Sequence, residues 1–177
     1  MSLSIFRQRK PFTCNSNQTG FSLVELMVTV SIVAILLSIG VPSMTGLIRD
    51  ARLASQSDML VSTLNLARSE AVKQRSNFKV CPSLTPNSDL LTTCLAGAGA
   101  WSTGWITIGG ANITQRSVAS EDLTVTTTAT SVEFSGTIGN ATAVSSFVFC
   151  TPNRKQHLVD VALSGHISKR IGTTTCL

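Results

Sequence analysis

Between Phe21 and Val41 the chain reads FSLVELMVTVSIVAILLSIGV, a run of 21 residues in which Glu25 is the only ionisable side chain. In a helix that rises about 1.5 Å per residue this run is roughly 31 Å long, the thickness of the hydrocarbon core of a bilayer. It therefore predicts a single membrane-crossing helix, and any fold must leave it a way out of water. Arg7, Arg9 and Lys10 precede it without an acidic residue, so the positive-inside rule keeps the N-terminus cytoplasmic and sends residues 43–177 outward. Those three cations also account for most of the net charge of +5. Residues 21–177 carry 11 basic against 9 acidic groups, a net of +2, which says little about a polyanionic partner.

A secretory signal peptide has small residues after its apolar stretch, and Ser43 and Thr45 around Pro42 make a poor cleavage site. The polar, glycine-ended segment comes before the run instead, as Asn15-Ser16-Asn17-Gln18-Thr19-Gly20. A cut between Gly20 and Phe21 would release residues 1–20 as a leader and keep the apolar helix, residues 21–42, as the mature N-terminus. Thr19-Gly20-Phe21-Ser22-Leu23-Val24-Glu25-Leu26 resembles the cleavage signature of type IV prepilins and type II secretion pseudopilins. The resemblance implies a membrane-bound aspartyl peptidase that cuts after Gly20 and N-methylates Phe21.

A carboxylate in a hydrocarbon segment costs several kcal/mol on most scales, so Glu25 is a functional candidate by default. The plain alternative is that Glu25 reaches the headgroups from its place near the mature terminus. In the family that the motif resembles, Glu25 of one subunit would neutralise the Phe21 amine of a neighbour. Two opposite charges desolvated together cost less than either alone, so assembly is favoured only in the matching stagger.

Beyond the run, Leu53, Ser57, Leu60, Leu64, Ala67 and Ala71 advance by alternating four and three residues, which places them on one helical face. Ser55, Ser62 and Ser69 fall on the opposite face, and Glu70 with Lys73 forms an i, i+3 pair. An amphipathic helix over residues 43–80 is expected to continue the membrane helix, some 55 residues and roughly 80 Å in all. A kink or local melting is expected at Gly40, Pro42 and Gly46. Proline at position 82 and the Ser, Thr, Gly and Ala that follow predict a loop over residues 82–100. Trp105 to Ile108, Asn112 to Arg116, Leu123 to Thr128, Ser131 to Phe134, Ser146 to Cys150 and His157 to Leu163 read as strands. The fold class is thus α+β, a long N-terminal helix packed on an antiparallel β domain, residues 81–177. Trp101 and Trp105 read as core residues of a hairpin rather than stacking platforms.

Cys14 would leave with the leader, so Cys81, Cys94, Cys150 and Cys176 remain, all on the outward side. Adjacent pairing, Cys81 with Cys94 and Cys150 with Cys176, is one of three connectivities. Disulfides require an oxidising compartment, in agreement with export. No C-x-x-C occurs, and only His157 and His166 would complete a metal set, so neither a metal nor another cofactor is expected. The absence of G-x-S-x-G, a Walker loop or H-E-x-x-H argues against an enzyme.

Three further blocks narrow the resemblance. Leu64 to Val72, Trp101 to Ile106 and Gly165-His166-Ile167 are similar to successive blocks of the GspH and FimT/FimU subgroup of minor pilins. The resemblance implies a pilin-like fold and a subunit at or near the tip that primes a type IV pilus or a type II secretion pseudopilus. Its partners would be the prepilin peptidase and N-methyltransferase, other minor pilins or pseudopilins, the major subunit, an inner-membrane assembly platform and membrane lipid. FimT-like members offer an alternative, DNA binding during natural transformation through a basic G-R-x-R element. Here Gly165 is followed by His166, Ile167 and Ser168, so neither arginine is present. Arg154, Lys155, Lys169 and Arg170 are the candidate phosphate contacts, four cations against Asp160 between Cys150 and Cys176.

Overall fold

The computed structural model describes residues 20–83, 94, 101–110, 112–120 and 122–177, the side chains of residues 41–43 excepted. Arg7, Arg9, Lys10 and Cys14 of the leader, and most of the loop expected over residues 82–100, lie outside the described residues. The chain divides into two compact units, Met1–Pro42 and Ser43–Leu177.

In the first unit, helix α1 (Leu23–Gln74) begins behind Ser22, whose Oγ accepts a hydrogen bond from the Glu25 backbone N–H at 3.1 Å. Ser22 thereby satisfies one of the four N–H groups that open any helix, with Glu25 in the N3 position. Past the cap, Thr29, Ser31 and Ser38 each donate their hydroxyl to a carbonyl one turn back, at 2.7 to 2.9 Å. Such back-bonding hides polar hydrogens from an apolar surround. None of the apolar side chains between Phe21 and Ile39 is buried by the chain itself, and Leu23, Leu36 and Ile39 stand 65 to 76% exposed. Helical backbone runs unbroken through Gly40, Pro42 and Gly46, so the local melting expected there does not occur. Proline removes one hydrogen bond there without ending the helix.

In the second unit all six residues of the predicted stripe, Leu53, Ser57, Leu60, Leu64, Ala67 and Ala71, are buried to 1% exposure or less. Ser55, Ser62 and Ser69 face solvent. Burial of Leu53, Leu60 and Leu64 contributes about 2 kcal/mol each. The helix expected to reach residue 80 ends at Gln74. Arg75 turns left-handed at φ 51°, and the Ser76 N–H returns to the Ala71 carbonyl while the Arg75 N–H returns to that of Val72. This pair of bonds is a Schellman closure. After Asn77 the chain extends, and Phe78–Pro82 becomes strand β1, with Phe78, Val80 and Cys81 fully buried. The β domain thus starts three residues before the expected boundary, and Pro82 closes a strand rather than opening a loop.

Seven further strands follow: β2 (Gly104–Gly109), β3 (Asn112–Val118), β4 (Thr124–Thr127), β5 (Val132–Phe134), β6 (Ser145–Cys150), β7 (Lys155–Val161) and β8 (Ile167–Thr175). They form two four-stranded antiparallel sheets, in the orders β3-β2-β1-β5 and β4-β6-β7-β8. The six segments read as strands in the sequence are all present, and β1 and β8 are added to them. One core joins the α1 stripe to both sheets through Phe78, Trp101, Trp105, Phe134, Phe147, Phe149 and Val159. Trp101 and Trp105 are fully buried. The Trp101 indole N–H donates to the Ala129 carbonyl at 2.9 Å, and its ring meets Phe147 edge-on at 4.8 Å. Both tryptophans are therefore core residues, as the sequence predicts.

Candidate assembly segment and basic surface

The assembly candidates lie in the first unit. Gly20 and Phe21 precede the helix and are exposed, Phe21 to 81%. Glu25 sits in the first helical turn, where a carboxylate is favoured by the positive end of the helix dipole. Every hydroxyl from Ser22 to Ser38 engages backbone, whereas the Glu25 carboxylate has no hydrogen-bond or ionic partner among the described residues. One open negative group on an otherwise satisfied apolar rod can receive a cation from another chain.

The basic candidates lie in the second unit, and three of the four have carboxylate partners. Arg154 Nη1 lies 3.1 Å from Asp50 Oδ2, Lys169 Nζ lies 2.6 Å from Asp58 Oδ1, and Arg170 Nε lies 3.0 Å from Asp160 Oδ2. Asp50 and Asp58 come from α1, more than a hundred residues away in sequence. Folding therefore changes the local count from four cations against one carboxylate to four against three. Lys155 alone of the four has no carboxylate partner among the described residues. A hydrogen bond from Ser146, then the Arg170 contact, holds the Asp160 carboxyl below its ordinary value against the opposing effect of burial. This strengthens its claim on Arg170 rather than freeing it.

The two disulfides join Cys81 to Cys94 and Cys150 to Cys176. The second ties the end of β6 to the chain after β8, and the Asn153 N–H and Arg154 carbonyl bond to the backbone of Cys176 beside it. The turn carrying Arg154 and Lys155 is thus pinned at its base. Among the described residues no three His, Cys, Asp or Glu side chains gather as a metal set.

Comparison with known proteins agrees with this architecture. The family model described as type II transport protein GspH matches residues 56–165, and that of the prokaryotic N-terminal methylation motif matches residues 15–41. No curated protein sequence matches the chain. Two crystal structures of the type IV minor pilin FimU from Pseudomonas aeruginosa superpose with TM-scores of 0.52 and 0.53, at 16% and 18% identity. They cover 73% and 71% of this chain and 98% and 100% of theirs. At that identity the likeness is one of fold: a long helix packed on antiparallel sheets. With its GspH match over more than half its length and a methylation motif ahead of it, the chain belongs to the GspH family of type IV pilin-like proteins.

Proposed function

We propose that this chain is a minor pilin or pseudopilin that enters the inner membrane with its N-terminus cytoplasmic and residues 43–177 in the periplasm. The prepilin peptidase cuts between Gly20 and Phe21 and methylates the new Phe21 amine. The mature helix then joins other subunits through Glu25, and the subunit primes a type IV pilus or type II secretion pseudopilus from at or near its tip. The observation that carries this reading is the unpartnered Glu25 carboxylate in an apolar run whose hydroxyls all engage backbone. A neighbour's methylated Phe21 amine has the charge to complete it. The subunit is structural in this reading and performs no chemistry of its own.

Intact mass of the membrane-extracted protein tests the processing step. A mass beginning at Phe21 with one added methyl group, rising by two hydrogens per disulfide on reduction, is expected. A mass beginning at Met1 would overturn processing and leave only an anchored β domain. The nucleic-acid alternative must compete with three intramolecular ion pairs, at Arg154, Lys169 and Arg170. A low-salt gel shift abolished by Lys169→Ala with Arg170→Ala would restore it.

A further inference from the structure

A cavity of about 570 Å³ opens beside α1, walled by Asp50 and Ala54 of the helix, Arg154 of the β6–β7 turn, and Lys155, His157 and Ile171 of the sheet. Its polar groups are of both signs and incompletely used. Arg154 gives Nη1 to Asp50, and its side chain remains 31% exposed. Asp50 uses only Oδ2 for the arginine. Lys155 has no carboxylate partner among the described residues, and Ile171 presents apolar surface that is 64% exposed.

The Arg154 guanidinium lies over Gly46 of α1 with Nη1 on Asp50, so this cation is fixed against the helix rather than free in solvent. A bare anion would meet Asp50 at close range. A ligand carrying an ammonium for Asp50 and an anionic oxygen for the exposed part of the Arg154 guanidinium and for Lys155 complements the charges of this wall.

We infer that this cavity binds the zwitterionic phosphoethanolamine headgroup of a phospholipid, phosphodiester on Arg154 and Lys155, ammonium on Asp50, glycerol end against Ile171. The inference rests on the membrane anchoring proposed above. Asp50 follows Val41 by nine residues, at most about 32 Å of fully extended chain, so the cavity cannot be far from the lipid interface that such an anchor supplies.

The test uses the full chain in dodecyl maltoside micelles, which bring no phosphate, and follows the backbone amide resonances of Asn153, Lys155 and His157. Glycerophosphoethanolamine, glycerophosphoglycerol and inorganic phosphate are titrated separately. A saturable shift, tightest for glycerophosphoethanolamine, is expected, weakened at least about fivefold by Lys155→Ala and by Asp50→Asn, in keeping with loss of a charge-assisted contact. Asp50→Asn should act in the opposite sense on inorganic phosphate and tighten it. Equal affinity for inorganic phosphate in the unaltered chain would overturn the headgroup assignment in favour of a general anion site. No saturable shift with any of the three, or a duplex oligonucleotide that binds these amides more tightly than any headgroup, would also overturn it. Because the headgroups are water-soluble, the titration does not require a bilayer. Release of the chain from membranes by alkaline carbonate would defeat the anchoring reading separately.

Discussion

Nδ1 of His157 on β7 stands 3.1 Å from Oγ of Ser57 on α1, with His157 only 9% exposed and Ser57 fully buried. The Ser57 hydroxyl has one hydrogen, and it goes to the Ala54 carbonyl at 2.8 Å. The imidazole must therefore donate from Nδ1, which leaves Nε2 as the basic nitrogen of a neutral ring. Lys169 closes the same seam by reaching both Asp58 and the Ala54 carbonyl.

Burial, and then the charge of Lys169, hold the His157 pKa below its ordinary value of 6.5; Asp58 and Asp50 oppose them without reversing the direction. The folded state consequently binds fewer protons than the unfolded chain as pH falls through that region. Stability is complete above the unfolded pKa and declines as pH drops below it towards the folded one. Thermal midpoints measured from about pH 7.5 to about pH 5 should fall more steeply for the unaltered protein than for His157→Gln, which cannot titrate. Parallel slopes would refute the role of this histidine.

Gly165 adopts φ +77°, and a Cβ there would run into the Gly139 carbonyl and approach Arg68 Nε to 2.8 Å. Arg68 in turn donates to the carbonyls of Gly139 and Ser164, at 2.9 and 3.2 Å, binding two turns of the β domain to α1. Gly165→Ala incurs the left-handed backbone penalty and displaces this clamp. A loss of about 2 kcal/mol or more in denaturant unfolding is expected. Substitution of the nearby exposed Ser164 by Ala keeps the carbonyl that Arg68 uses and gives up only the long, 3.4 Å hydrogen bond that its hydroxyl accepts from the His166 N–H, so it should cost less than about 0.5 kcal/mol and serves as the control.

The membrane run, the buried stripe and the six central strands were legible because each writes its geometry into a period of 3.6 or 2. Phe78–Pro82 was missed because Phe78 continues the seven-residue spacing of Leu64 and Ala71, and the left-handed Arg75 that breaks the helix is neither glycine nor asparagine. β8 was missed because it is an edge strand: Ser168-Lys169-Arg170 resembles a solvated turn, and most of its nine residues remain exposed. The ionic partners were invisible for another reason. Asp50 and Asp58 meet Arg154 and Lys169 across more than a hundred residues, a relation that no local pattern encodes. Composition therefore overstated the positive charge that this surface presents.

Cys150 and Cys176 stand at a sequence separation of 26, and the loop between them includes all of β7 and β8. In the chain-entropy account, linking positions at that separation stabilises the fold by about 3.5 kcal/mol, against about 3 kcal/mol for Cys81 with Cys94 at a separation of 13. The double substitution Cys150→Ser with Cys176→Ser should lower stability by that order, as read from a urea midpoint. It should also loosen the Arg154–Lys155 turn, raising amide exchange at Asn153, whose N–H bonds to the Cys176 carbonyl. Unchanged exchange at Asn153 would mean that the backbone bonds hold this turn without the crosslink.

Glu25 is the residue on which the polymerising role stands or falls. Removing its carboxylate makes the apolar run more hydrophobic, so Glu25→Ala should enter the membrane as well as the unaltered chain does. Capping is retained, because Ser22 receives its hydrogen bond from the residue 25 backbone rather than from the side chain. Any loss therefore reports on subunit pairing. A buried charge pair commonly couples by about 1.5 kcal/mol or more, so crosslinking to other subunits in membranes should fall at least about tenfold. Glu25→Gln separates the two ways the side chain can act: it keeps size and hydrogen bonding while removing charge. If pairing with a cationic Phe21 amine is the mechanism, Gln will fail as Ala does; if Gln assembles normally, the carboxylate's charge is not what joins the subunits.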